Sequence, residues 1–278
     1  MTSEFKSTEV KPAASILLMR ETPKQDLNPL EVFMVMRHHQ IDVASGALVF
    51  PGGKVEKQDS ADALANFYPH ACQTRLTSSP LYQNQLGFKV AAIREAYEET
   101  GVLFARQQGE KELIGANALA QLKHYKEALV NEEITLAVML AEQKLSLATD
   151  LLLPYAHWIT PKMAPKRFDT HFFIALAPQD QVALHDGEES VDSLWIAPQT
   201  LLKEADEGRW KIVFPTRMNI EKLALMDSFQ SIKTQVEKFP PITIEPKFVD
   251  LDGEKFLCIP EEAGYPQWKV SIDKVLKP

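Results

Sequence analysis

Arg94-Glu95-Ala96-Tyr97-Glu98-Glu99-Thr100-Gly101 sets three carboxylates on a little over one helical turn and then places a glycine. At about 100° per residue, Glu95, Glu98 and Glu99 share an arc of roughly 100°. Val90, Ile93, Ala96 and Tyr97 fall on the other side. A helix over Lys89–Thr100 can therefore bury one face and aim a dense negative cluster from the other, with Gly101 as its terminating cap. Like charges at this spacing repel, and a cation among them removes the repulsion. Clustered carboxylates with room for water and substrate oxygens suit Mg²⁺ or Mn²⁺. A run of charge is also the common mark of a solvated helix face, so the surroundings decide.

Upstream, Leu48-Val49-Phe50-Pro51-Gly52-Gly53-Lys54-Val55-Glu56 runs an apolar strand into a Gly-Gly turn, where the backbone can bend sharply and approach a ligand. Together the two segments resemble the signature of the Nudix hydrolases, Gly-x5-Glu-x7-Arg-Glu-U-x-Glu-Glu-x-Gly-U, where U is a bulky aliphatic residue. Arg94, Glu95, Glu98, Glu99, Gly101 and Val102 match its second half, with a small Ala96 at the first U. Gly53 matches its start, but Asp59 stands where the first glutamate belongs, and about thirty residues separate it from Arg94 instead of seven. A split box of this kind resembles the subgroup that includes peroxisomal-type coenzyme A diphosphatases. Further segments resemble it in combination: Trp158-Ile159-Thr160-Pro161, Lys166–Phe173, Asp186-Gly187-Glu188-Glu189 and Trp195-Ile196-Ala197-Pro198.

The resemblance implies a metal-dependent attack of water on a diphosphate joined to a nucleoside. It implies Glu95 and Glu99 as metal ligands and Glu98 as a second ligand or bridge. It gives Arg94 the task of pairing with the first acid of the box, here Asp59. Gly52 and Gly53 are candidates to meet the metal or substrate through the backbone. Glu188 or Glu189, in a turn between strand-like runs, is the candidate general base or additional ligand, although such a turn is also an ordinary acidic hairpin. Arg37, after the strand Val32–Met36, and Arg167, opening another strand, are candidate phosphate partners because guanidinium matches phosphate oxygens. Either could equally be structural. Trp158, Phe168 and Phe172 read as core. The seven histidines show no metal pattern.

Composition narrows the classes. The chain has 278 residues, is 45% apolar and carries a net charge of −8, which disfavours general nucleic-acid binding. Its anionic character means that an anionic diphosphate needs cations at the site. Two distant cysteines, Cys72 and Cys258, argue against a disulfide framework or zinc site and suit a reducing cytoplasm. Met1–Lys11 lacks the apolar core of a signal peptide, no apolar run reaches 18 residues, and the terminal Val-Leu-Lys-Pro is not a peroxisomal Ser-Lys-Leu-type address.

Strands are expected at Ser15–Arg20, Val32–Arg37, Leu48–Phe50, Ala156–Ile159, Phe168–Leu176 and Ser190–Ile196. Helices are expected at Ala61–Phe67, Lys89–Thr100, Leu113–Val130, Glu132–Lys144, Pro198–Asp206 and Pro215–Met226. Asp252-Gly253 between alternating apolar runs signals a hairpin that either covers the pocket or mediates homodimerisation. The expected fold is α/β (α+β), a Nudix-type mixed sheet between helices with a helical insertion. One domain over 12–225 is interrupted by helical accessory segments at about 60–88 and 105–150, and 226–278 is a C-terminal extension. The expected enzyme is a diphosphatase for a small-molecule nucleoside-diphosphate derivative, coenzyme A or acyl-coenzyme A. ADP-ribose, NADH and nucleotide sugars are alternative substrates, because the stretch before the Gly-Gly turn lacks the additional signature many coenzyme A diphosphatases carry. A non-catalytic nucleotide-binding module is the competing class, disfavoured by the survival of all three glutamates.

Overall fold

A computed structural model describes residues 9–22, 29–38, 44–60, 63–68, 85–185, 187 and 190–275. In chain order, β1 (Val10–Glu21), β2 (Leu30–Arg37), β3 (Ala47–Val49) and β4 (Gly52–Lys54) lead to helix α1 (Leu86–Thr100). The strand pair β5 (Ala105–Gln107) and β6 (Leu145–Leu147) brackets three short helices, α2 (Ala116–Gln121), α3 (Lys123–Val130) and α4 (Leu136–Glu142). There follow β7 (Leu153–Ile159), β8 (Arg167–Leu176), β9 (Ser190–Ile196), α5 (Pro198–Asp206), β10 (Lys211–Ile212), α6 (Phe214–Leu223) and α7 (Phe229–Lys238). The chain closes with β11 (Thr243–Ile244), β12 (Lys247–Leu251), β13 (Glu254–Cys258), β14 (Lys269–Ser271) and α8 (Ile272–Val275).

A mixed nine-stranded sheet forms the middle layer, with path β10-β3-β2-β1-β8-β7-β11, β4 joining β1 and β9 joining β2. β1 is its axis. It lies parallel to β8 from Val10↔Arg167 to Met19↔Leu176. On its other side it forks, pairing with β4 at Ala13–Ser15 and with β2 at Met19–Glu21. The run Ala13–Met19 is buried on both faces, which is why it reads as a continuous apolar stretch and not as an alternation.

Two hydrophobic layers sandwich this sheet. Ala14, Ile16, Leu18, Phe33 and Phe173 face Val90, Ile93, Ala96 and Tyr97 of α1. Leu17, Met19, Val32, Met34 and Ile174 face Leu201 of α5, Met218 and Leu223 of α6, and Ile232 and Val236 of α7. Each fully buried aliphatic side chain here contributes roughly 1.5–3 kcal/mol of transfer free energy. α1 is thus held by its apolar face and presents its acidic face across β4.

Several expectations change. Residues 63–66 form turns where a helix over Ala61–Phe67 was expected, and the insert at 69–84, with Cys72, lies outside the described residues. The segment 105–150 is helical only in its middle; its ends pair as β5 and β6, tied by Arg106, whose guanidinium forks onto the Asp150 carboxylate at 2.6 and 2.8 Å. α7 was not anticipated. Ser228 caps it, accepting from Ser231 N at 3.2 Å. The C-terminal hairpin is present, with Asp252 and Gly253 at φ 55° and 87°, the left-handed pair a two-residue turn demands. No helix among the described residues is long and apolar enough to cross a membrane.

Candidate active site

The acidic face of α1 meets the Gly-Gly turn. Gly101 ends the helix at φ 75°, its N–H donating to Tyr97 O. This stop keeps Glu95, Glu98 and Glu99 in the last two turns, while Tyr97 anchors the opposite face by donating to Leu122 O at 2.7 Å. Glu99 is 4% exposed, and its Oε2 accepts from Gly52 N at 3.0 Å. Gly52 has φ +153°, and a Cβ there would collide with Ala14 O and lie 2.6 Å from Ser15 Cα. A Cβ on Gly53 would instead meet the Glu95 carboxylate, with Oε2 at 2.7 Å. One glycine lets β4 close on β1; the next leaves the space that Glu95 fills.

Arg94 is the hub beneath the acids. Its Nε and Nη2 bond Asp59 at 2.9 and 3.1 Å, Nη2 also donates to Lys54 O at 2.9 Å, and Nη1 donates to Glu98 at 2.8 Å. Glu95 Oε1 lies 3.0 Å from Nη1. Asp59 is fully buried and Arg94 nearly so. Asp59 also accepts from Glu56 N at 2.8 Å, so the aspartate both orders the 3₁₀ turn at Lys57–Asp59 and fixes the guanidinium. Burial works against the Arg94 charge, yet Asp59, Glu95 and Glu98 together hold its pKa well above the ordinary guanidinium value. Burial pushes the Glu98 carboxyl up; Arg94 pulls against this, and Glu56 and Asp59 add to the rise. Three carboxylates on one guanidinium, with Glu99 on Gly52 N beside them, leave an excess of negative charge lined with oxygen donors. That donor set fits a hard divalent cation.

Of the remaining sequence candidates, Arg37 and Arg167 fall among the described residues. Arg37 ends β2, opposite Ser190 at the start of β9. Arg167 stands at the head of β8, 8% exposed, with Nε on Thr160 O at 3.0 Å and Nη2 on Glu245 at 2.9 Å. It lies opposite Val10, whereas Gly53 lies opposite Ala14, so Arg167 is not brought to the acidic cluster. Asp186, Glu188 and Glu189 lie outside the described residues. The segment leading to them is anchored on α1, because Leu184 N donates to Thr100 O at 3.1 Å. Trp158 and Phe172 are buried as expected, and Phe168 is half-buried.

Sequence reasoning missed one constellation. His157 and His171 face each other across β7 and β8, their rings stacked at 4.0 Å, with Asp169 hydrogen-bonded to His157. The signal was the hairpin register: once Trp158-Ile159 and Phe168-Asp169 are placed on adjacent antiparallel strands, the two histidines become neighbours. Burial, reinforced by the adjacent His157 and opposed by Asp169, lowers the His171 pKa to about 4.

Comparisons with known proteins agree with this architecture. A family model described as the NUDT19 Nudix domain matches residues 70–223. The putative nudix hydrolase 7 of Caenorhabditis elegans is 24% identical over 275 residues, covering 95% of this chain and 80% of its own. The acyl-coenzyme A diphosphatases NUDT19 of Xenopus laevis and Gallus gallus are 22% and 24% identical, covering 63% and 67% of this chain. The matched regions span only 54% and 60% of those two relatives. The crystal structure of a NUDIX hydrolase from Alicyclobacillus acidocaldarius shares the fold, with a TM-score of 0.64 at 23% identity over 82% of this chain and 97% of that one.

Proposed function

The chain belongs to the Nudix hydrolases, in the group of the NUDT19 Nudix domain, and on that premise we propose that it is a metal-dependent diphosphatase acting on coenzyme A or acyl-coenzyme A. The observation that carries this reading is the convergence of Glu95 and Glu99 on a glycine turn built to admit them, with Glu98 joined to Glu95 through Arg94 Nη1. The printed activity of the two NUDT19 relatives supports the substrate class.

In this proposal Glu95, Glu98 and Glu99 hold Mg²⁺ or Mn²⁺. Such an ion, when bound, neutralises phosphate charge and lowers the pKa of the attacking water. Arg94 does not touch substrate; with Asp59 it fixes where α1 stands against Lys54. Gly52 N–H orients the Glu99 carboxylate. Glu98, fixed by Arg94 Nη1, is the second ligand or bridge. Glu188 or Glu189 supplies the general base or a further ligand, consistent with the anchoring of the preceding segment on Thr100. Arg37 is the proposed phosphate partner. The products are a phosphopantetheine-type monophosphate and an adenosine bisphosphate. The hydrolase domain is proposed to span 12–225, with 226–278 as an extension whose β11 joins the sheet beside β7.

The test is incubation of the purified chain with Mg²⁺ or Mn²⁺ and coenzyme A, acetyl-coenzyme A, ADP-ribose, NADH and UDP-glucose, with an EDTA control and products read by mass spectrometry. Preferential metal-dependent cleavage of the coenzyme A compounds is expected, and Glu99→Gln should lower turnover by at least ~10²-fold with folding intact, the scale of a catalytic carboxylate. Preference for another compound of the panel, or near-normal turnover by the variant, overturns the proposal.

A further inference from the structure

β7 and β8 bring together donors that the acidic cluster does not use. One ring nitrogen each of His157 and His171 and a carboxylate oxygen of Asp169 all lie within 4.8 Å of one another. Asp169 Oδ1 bonds His157 Nε2 and lies 3.7 Å from His171 Nε2. All three residues are partly or fully buried.

Two observations distinguish this group from an incidental ion pair. Each imidazole has its Nδ1 held by a partner from another element: His157 by Thr243 Oγ1 at 2.8 Å, and His171 by the Gln85 carboxamide at 3.3 Å. Outer partners of this sort fix the tautomer of a metal-binding histidine and aim its other nitrogen inward. Gln85 supplies the second observation. It is 5% exposed, and its Oε1 is buried with no hydrogen-bond partner among the described residues. A half-turn of the carboxamide, which exchanges atoms of nearly equal size, lets Oε1 accept from Nδ1–H of His171. That gives the oxygen a partner, moves the amide nitrogen into the buried position it vacates, and leaves His171 Nε2 with its lone pair directed at the group. Once the proton shared by His157 Nε2 and Asp169 is released, two imidazole lone pairs and a carboxylate converge, and a metal cation joins all three favourably.

We propose that His157, Asp169 and His171 form a second divalent-cation site, selective for a borderline first-row ion of the zinc class. Two nitrogens and one oxygen suit Zn²⁺ with a fourth position open to water, whereas the all-oxygen set around Glu95 and Glu99 suits Mg²⁺ or Mn²⁺. The two sites are distinct. His171 lies beside Ala14, and Ala14 beside Gly53, so two strand spacings, roughly 10 Å, separate the histidine strand from the glycine turn that Glu95 and Glu99 meet. Through Thr243 and Gln85, the ion would tie β11 and the foot of α1 to the β7–β8 pair.

The experiment uses the full-length protein stripped with EDTA and titrated with Co²⁺ and Zn²⁺ in the presence of excess Mg²⁺. One equivalent of Co²⁺ should bind, with visible absorption typical of nitrogen ligation, and one equivalent of Zn²⁺ should displace it. In ¹⁵N-histidine-labelled protein, Zn²⁺ should shift the His157 and His171 Nε2 resonances, which tests the assignment without any substitution. His157→Gln and His171→Gln should each weaken Co²⁺ binding at least ~100-fold, while Glu99→Gln should leave it unchanged. Unshifted histidine resonances on Zn²⁺ addition, or Co²⁺ binding lost with Glu99→Gln and kept in folded histidine variants, overturns the proposal.

Discussion

Adjacent glycines at 52 and 53 should fail in different ways when each is replaced by alanine. In Gly53→Ala the new methyl meets the Glu95 carboxylate, with Cδ at 2.6 Å and Oε2 at 2.7 Å. Ordinary van der Waals contact needs about 3.4–4 Å, so the carboxylate must retreat by roughly 1 Å. The obstacle is the far end of a flexible side chain, and the fold should lose under ~1 kcal/mol. A displacement of that size at a reacting centre costs about 10²-fold in rate. In Gly52→Ala the methyl meets the backbone of β1, at Ala14 O and at Ser15 Cα, and φ is +153°. Neither partner can swing away. Overpacking of ~1–3 kcal/mol adds to backbone strain of ~1–3 kcal/mol, giving a loss of about 2–6 kcal/mol. Metal-dependent turnover of coenzyme A and urea midpoints, measured side by side, separate the two effects. Turnover by Gly53→Ala within threefold of the parent would refute the placement of Glu95 among the metal ligands. An unchanged urea midpoint for Gly52→Ala would refute the argument from the β1–β4 approach.

Arg94→Ala leaves Asp59, fully buried, without its bidentate partner, and should cost about 3–5 kcal/mol in urea unfolding; a loss under ~1 kcal/mol would contradict the hub. Burial pushes the Asp150 carboxyl up, but the Arg106 fork pulls it further down, for a net lowering. A carboxyl lowered on folding contributes stability above its unfolded pKa and loses it as pH falls through the folded value. With the Asp150 side chain 40% exposed, that contribution is under ~1 kcal/mol. The stability difference between parent and Asp150→Asn should therefore be present at pH 6 and shrink as pH falls through and below the ordinary carboxylate range, and a difference that grows on acidification would have the wrong sign. Phe173→Ala empties a fully buried position between β8 and α1; at about 3–5 kcal/mol the melting temperature should fall by roughly 10 °C, and a fall under ~3 °C would show that the layer collapses around the gap.

The sequence was most legible where one local pattern coincided with one burial pattern. α1 shows both its apolar stripe and its glycine stop, and the Asp59–Arg94 pair follows from the box even across the insert. Short edge strands such as β10 and β11 carry two residues each, too few for any periodicity. β5 and β6 hide in helix-favouring composition because their pairing is set by Leu145 and Leu147 entering a distant core, a tertiary contact that overrides propensity. α7 was readable, with Ser228 and Ser231 at its start and Ile232 and Val236 one turn apart. The histidine pair needed strand register, which no single strand encodes, and the fate of Arg167 needed Glu245, 78 residues away.

The ten-residue register between β1 and β8 has a consequence for synthesis on the ribosome. Residues 10–19 wait for residues 167–176, and at about 5–20 residues per second the interval is roughly 10–30 s. Over that time the strand with the longest buried run, Ala13–Met19, has only β2 and β4 available, at its two ends. An unpaired hydrophobic edge of this kind is a template for association with other nascent chains. Demand on chaperones during translation should therefore fall on the first 180 residues, before the hairpin that carries the histidines emerges and covers β1.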